Sequence, residues 1–241
     1  MRIRSWLAGA IVVLILAGGT AAAAIPGPQR ALCPQCFGLT AIGGDAFTDN
    51  PAQADQLRQL IATADEEIAK FYGPLQSHPR YVLCTTPECL ATFGGGSTGI
   101  TYGWQLIRIA PHGLRPTILT HERLHAEIAA RLGWRSLWSE PVPVWFNEGL
   151  ATYLAHDDRF NQSYSPADIA WIMAGTDRAS WNRLLTERDW IAGYGAARAA
   201  ITQLDRQLGL QGLRALLDNV AKGTPFNEAL MQLSATEVSA S

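Results

Sequence analysis

Apolar residues recur at helical spacing over residues 51–72, where Leu57, Leu60, Ile61, Ala64, Ile68 and Phe71 share one face and Gly73-Pro74 ends the run. Residues 80–84 form a short apolar run, predicted as a strand. After the flexible turn Gly94-Gly95-Gly96-Ser97, residues 98–110 carry Tyr102, Trp104, Leu106 and Ile109 and read as a strand or hairpin arm. Pro116 opens a helix that runs to Arg131 and stops at Gly133. Pro141 and Pro143 mark a loop. Residues 144–156 are a second helix, with Trp145, Phe146, Leu150, Tyr153 and Leu154 on its apolar face. Residues 166–174, 196–207 and 212–222 read as helices, and 226–233 as a last short one. Residues 25–50, punctuated by Gly and Pro, are expected to be irregular. A helix, then strands, then several helices describes an α+β domain over 51–241: a small β-sheet ahead of one helix, and a mainly helical C-terminal half.

The first 24 residues read differently. Arg2 and Arg4 supply a positive start, residues 7–16 an apolar stretch, and Gly18 to Ala24 a small-residue run suited to signal peptidase. The segment is expected to be a signal peptide cleaved near Ala22 to Ala24. The alternative is an uncleaved inner-membrane anchor over residues 6–24, about 28 Å long as a helix. Both place the remaining chain in the periplasm or outside the cell. In such a compartment the four cysteines, Cys33, Cys36, Cys84 and Cys89, are expected to pair locally, as Cys33–Cys36 and Cys84–Cys89. The competing uses of these spacings are a four-cysteine zinc knuckle and a redox Cys-x-x-Cys.

Charge narrows the partners. The 19 Lys+Arg against 21 Asp+Glu leave a formal net charge of −2, and cleavage of Arg2 and Arg4 takes it to −4. Phosphate binding needs clustered positive charge, so nucleic acid is not an expected partner. With only two lysines, Lys70 and Lys222, there is no polybasic patch for a membrane surface either. Membrane contact is expected only if the N-terminal segment stays uncleaved. Oligomeric state is not readable from the chain.

The chemistry lies in His121-Glu122-Arg123-Leu124-His125. On a helix, positions i and i+4 share a face, so both imidazoles can grip one ion. Glu122, beside the first ligand, can take a proton from water without being a ligand itself. With 5 His and 10 Glu, a chance match is expected in about one such chain in 250, so the motif outweighs its plain reading as a solvated helix face. Catalytic zinc takes three protein ligands. The third is expected from Trp145-Phe146-Asn147-Glu148-Gly149-Leu150-Ala151, where Glu148 sits in an apolar context that requires a partner for its charge. Thr152, one turn on, is a candidate to orient a ligand imidazole. The strand 102–109 is a candidate edge for an extended peptide, against its plain reading as core. His78 and His112 are assigned no chemistry, and His156, eight residues past Glu148 and beside Asp157 and Asp158, is read as a surface residue, ahead of a second donor or a group supporting the ligands.

These residues resemble the gluzincin metallopeptidases, whose distant relatives include thermolysin and aminopeptidase N, and most closely the small peptidase MA-like domains of exported bacterial proteins. The close likeness covers about residues 117–156. It implies a zincin-like fold, Zn2+ held by His121, His125 and Glu148, and Glu122 as general base in peptide-bond hydrolysis of a peptide or protein substrate. It also implies a hydrogen-bond donor for the oxyanion, for which Tyr194, in Gly193-Tyr194-Gly195, is the candidate at the opening of a helix after a glycine-flanked loop. The metzincin pattern requires Gly at 128 and His at 131; this chain has Ile128 and Arg131. No strand motif for a free α-amine is found, which favours an endopeptidase over an aminopeptidase. The alternative is a catalytically silent domain of the same fold that binds peptides or envelope partners. Intact-mass measurement of the exported protein should place its first residue just after Ala22 to Ala24; a mass that includes Met1 to Leu16 would establish the anchor instead.

Overall fold

The computed structural model describes residues 27–240, with side-chain surroundings for 27–235. The expected signal or anchor at residues 1–24 lies outside the described residues. The architecture is mixed α+β, with a five-stranded sheet in the order β1-β2-β3-β5-β4. Strands β1 (Thr40–Gly43) and β2 (Ala46–Thr48) form a tight antiparallel pair. Strands β3 (Arg80–Leu83) and β5 (Leu106–Ile109) run parallel to β2. Strand β4 (Gly99–Tyr102) closes one side, antiparallel to β5.

Two sequence expectations change here. Residues 25–50 are not irregular throughout, because β1 and β2 come from them. These strands have only four and three residues, too short for alternation to register, and neighbouring strands supply their stability. Residues 98–110 are two strands joined at Gly103 to Gln105, so the sheet edge is Gly99–Tyr102, whereas β5, with Ile107 and Ile109 fully buried, is interior.

Nine helices are assigned among the described residues. Helix α1 (Ala54–Tyr72) buries Leu57, Ala64 and Ile68. It packs with α3 (Pro116–Leu132) on one face of the sheet, around Tyr81, Leu83, Ile107, Ile109 and Leu119. The other face carries Phe47 and Val82 and is covered by α2 (Pro87–Thr92), its C-cap Phe93 and the turns near Cys33. Both disulfides take the local pairing, Cys33–Cys36 and Cys84–Cys89. After the short α4 (Arg135–Trp138) comes α5 (Val144–Leu154). It packs with α6 (Pro166–Met173), α7 (Arg178–Glu187), the long α8 (Trp190–Ala221) and α9 (Phe226–Ala240) in a second core. The two helices expected over 196–222 are both present as the two halves of α8, separated at Gly209, where φ is 66° and the backbone leaves the helical region. Among the described residues no helix is long and apolar enough to cross a membrane.

Helix α3 is oriented by charge as well as by packing. Arg123 and Glu127, on its side away from His121 and His125, are buried to 1% and 0% exposure. Arg123 donates to Asp65 on α1, to Ser77 Oγ at 2.6 Å and to Ser77 O at 2.9 Å. Glu127 accepts from the backbone amides of Gln76 and Ser77 at 2.9 and 3.1 Å, from Ser77 Oγ at 2.9 Å and from Arg131 Nε at 2.9 Å. Burial opposes the charged form of Glu127, but these donors hold its carboxyl below the usual glutamate value. Glu127→Ala would take the acceptor from the Gln76 and Ser77 amides and the buried counter-charge from Arg131, and should cost about 3–5 kcal/mol in urea unfolding; a loss under 1 kcal/mol would show that packing alone orients α3.

Candidate metal centre

Pro116 starts α3 at its first turn, where a missing N–H costs no helical bond, and Gly133 ends it at φ 59°. One turn apart on this helix, the His121 and His125 rings stand nearly perpendicular, 4.7 Å between centroids, with their Nε2 atoms 3.0 Å apart. Glu148 comes from α5, whose first two amides have no side-chain cap. Val144 N–H and Trp145 N–H donate instead to the carbonyls of Thr176 and Gly175 at 3.1 and 3.0 Å. That bonding fixes where Glu148, one turn on, enters the site. Its Oε2 lies 3.2 Å from His121 Nε2 and 3.4 Å from His125 Nε2.

Three donor atoms thus form a triangle with edges of 3.0, 3.2 and 3.4 Å. A tetrahedral ion with bonds of ~2.0–2.1 Å needs ligand–ligand separations of roughly 3.3 Å. The triangle fits that requirement. The donor chemistry agrees: two imidazoles and one carboxylate could hold a metal ion. Asn147 Oδ1 accepts from His125 Nδ1–H at 3.0 Å, which directs the Nε2 lone pair inward. Burial disfavours the imidazolium, but Glu148 outweighs it and holds His125 up at about 9. Glu148 is 4% exposed; burial would raise its carboxyl, yet the two histidines hold it well below the ordinary range.

Glu122 lies beside the triad, 8% exposed, beneath the sheet edge. Thr101 Oγ1 is 2.7 Å from Glu122 Oε2 and 2.9 Å from its backbone carbonyl, so the hydroxyl donates to one of the two. The strand approaches this closely because residue 99 is glycine: a Cβ there would stand 2.6 Å from Glu122 Oε1. Gly149 does the same for α5 and α8, since a Cβ there would stand 2.6 Å from the carbonyl oxygen of Ala197.

That crossing carries Tyr194 into the site, 6.1 Å from the His121 ring between centroids. Burial and then the Glu148 and Glu122 charges hold its phenol well above the ordinary value, so it remains a hydroxyl donor. Tyr194 does not open its helix. Helix α8 begins at Trp190, capped by Asp189, and Gly193 and Gly195 are packing residues rather than loop residues. A Cβ at Gly193 would meet Leu185, and one at Gly195 would meet the Tyr164 hydroxyl.

All five candidate residues, His121, Glu122, His125, Glu148 and Tyr194, line one cleft of about 550 Å3 that also contains Ile128, Leu132 and Val142. A second lobe of about 350 Å3, walled by Phe160, Leu185 and Trp190, shares His121, Glu122 and Tyr194. Thr152 does not reach an imidazole; its Oγ1 donates to the Glu148 carbonyl at 2.8 Å. His156 is exposed past the end of α5, and His78 is exposed. His112 contacts Thr98 at 3.0 Å, outside the triad.

Sequence reasoning gave no role to Thr101, Asn147 or Arg178. Arg178 Nη1 donates to Glu148 Oε1 at 2.9 Å. Asn147 was signalled only by adjacency to Glu148. Nothing local signals the other two, which reach their partners across 21 and 30 residues.

No family model matches the chain, and no solved structure matches it. The homeobox-leucine zipper protein HDG3 of Arabidopsis thaliana is 40% identical over 78 residues, 30% of this chain. The chain spans about a tenth of that protein's length.

Saturating Zn2+ should raise the thermal unfolding midpoint of the wild-type chain, because a ligand at 100 times its Kd stabilises by about 2.7 kcal/mol. His121→Ala and Glu148→Ala should each abolish most of that rise; an undiminished rise in either would place the ion elsewhere.

Proposed function

We propose that this chain is a zinc-dependent peptidase of the gluzincin type, acting outside the cytoplasm on peptide or protein substrates. The observation that carries the reading is the triangle of His121, His125 and Glu148 donor atoms, 3.0 to 3.4 Å apart, with Glu122 beside it on the same cleft. Two imidazoles and a carboxylate suit zinc, and they leave room for a fourth ligand. Both disulfides support an oxidising compartment.

When bound, zinc supplies Lewis acidity toward a carbonyl oxygen and toward water. The residues of the chain do the rest. Glu122 Oε1 or Oε2 takes a proton from water in the cleft and later returns it to the leaving amine nitrogen. Thr101 and the close face of Gly99 limit that carboxylate to few orientations. The Tyr194 hydroxyl donates toward the substrate oxygen on which negative charge develops. Asn147 keeps the His125 proton on Nδ1. Strand β4 offers an edge beside this cleft for an extended chain, through Gly99, Ile100 and Thr101. The sequence carries no recognisable strand motif for a free α-amine, which favours internal bonds over N-terminal ones as the substrate.

A second reading is a silent domain of this fold that binds a partner, and the surface at α4 and its N-cap favours it: Trp134 is 72% and Trp138 85% exposed. Digestion of a mixed peptide library separates the two. The peptidase should cleave, lose activity to a chelator and regain it with Zn2+. Glu122→Gln should keep zinc by elemental analysis while turnover falls at least 100-fold, within the usual range for a lost acid–base group. Chelator-insensitive cleavage, or wild-type turnover by the glutamine variant, would overturn the peptidase mechanism.

A further inference from the structure

The two oxygens of Glu148 have different partners. Oε2 faces both imidazoles, at 3.2 and 3.4 Å, and Oε1 accepts from the Arg178 guanidinium at 2.9 Å. We propose that Arg178 is a positioning residue for the metal site: by occupying Oε1 it leaves only Oε2 to an ion held by His121 and His125. The inference rests on reading the triad as a metal site and adds how its third ligand is held to one oxygen.

The link is built into the fold. Arg178 is the first residue of α7, fixed by the reciprocal capping box of Asp177 and Ser180. Its backbone N–H donates to Glu140 Oε2 at 2.8 Å, four residues ahead of α5. Just before it, the Thr176 and Gly175 carbonyls accept from the first two amides of α5. Segment 175–178 and segment 140–148 are thus joined at four points, and the guanidinium–carboxylate contact is one of them. A carboxylate free to rotate could offer both oxygens to one ion and raise its coordination number. A charged donor on Oε1 opposes that rotation and keeps Oε2 in place. The Arg178 side chain is 54% exposed, so its removal leaves no large cavity in the core.

The test compares wild type, Arg178→Met, Arg178→Lys and a control on the same helix, Arg183→Met. Arg183 is 67% exposed and pairs with Glu187 at 3.7 Å. Zn2+ affinity is read by competition with a chromophoric chelator, and coordination by the visible absorption of the Co2+-substituted protein. Wild type and Arg183→Met should bind one ion and show the intense bands of four-coordinate Co2+. Arg178→Met should lose about 10–100-fold in affinity, the range for removing a group that orients a ligand, and its bands should weaken as the carboxylate turns to offer both oxygens. Arg178→Lys, which retains one charged donor, should recover most of both. Should the methionine variant precipitate, Arg178→Gln is judged by the same two readouts. Wild-type affinity and spectrum in the methionine variant would overturn the role of Arg178 while leaving the metal site standing. Equal weakening of the lysine and methionine variants with unchanged spectra would overturn it in favour of a structural role. Failure of the wild type to bind either ion would overturn the metal site itself.

Discussion

A buried carboxylate keeps its charge only where donors or cations surround it. Glu148 and Glu127 are both below 5% exposure, and each has been given its partners by a different part of the chain. Around Glu127 stand the amides of Gln76 and Ser77, the Ser77 hydroxyl, Arg123 and Arg131. Around Glu148 stand two imidazoles and Arg178. Helix α3 contributes to both clusters from opposite sides. Satisfying Glu127 against residues 76–77, and Arg123 against Asp65 of α1, sets the rotation of α3, and that rotation turns His121 and His125 toward α5. The candidate metal centre therefore depends on an ion network that it never touches.

Close backbone approach is the second requirement. Glu122 and Tyr194 line the cleft of the candidate triad, and the elements around them come nearer than ordinary packing allows. At two places glycine permits this: Gly99 lets β4 rest against Glu122, and Gly149 lets α8 cross α5. A methyl group at either position would have to displace the carboxylate or the neighbouring backbone. The glycine inside Trp145-Phe146-Asn147-Glu148-Gly149-Leu150-Ala151 thus has a packing reason one residue from Glu148.

Much of the candidate site was legible in the chain. His121 and His125 are four residues apart on a helix whose Pro and Gly ends are plain, so helical geometry alone sets them side by side. Glu148 could be singled out because a charge inside an apolar helical run needs a counterpart. Tyr194 was a candidate by glycine context, and the structure brings it to the cleft for a different reason: those glycines pack a helix interior. Strands β1 and β2 were illegible because runs of four and three residues carry too little periodicity. Thr152 bonds backward to its own helix, a competition that a hydroxyl one turn from a carbonyl always offers.

By itself the sequence determined the elements with long periodic faces and the paired imidazoles, and made the local cysteine pairing the expected one, because each of these rests on residues close in the chain. Only the tertiary structure decided that Thr101 meets Glu122, that Asn147 meets His125 and that Arg178 divides the oxygens of Glu148. Those contacts join residues 21 to 30 positions apart. Their geometry follows from how helices cross and where a sheet ends, which no local spacing encodes.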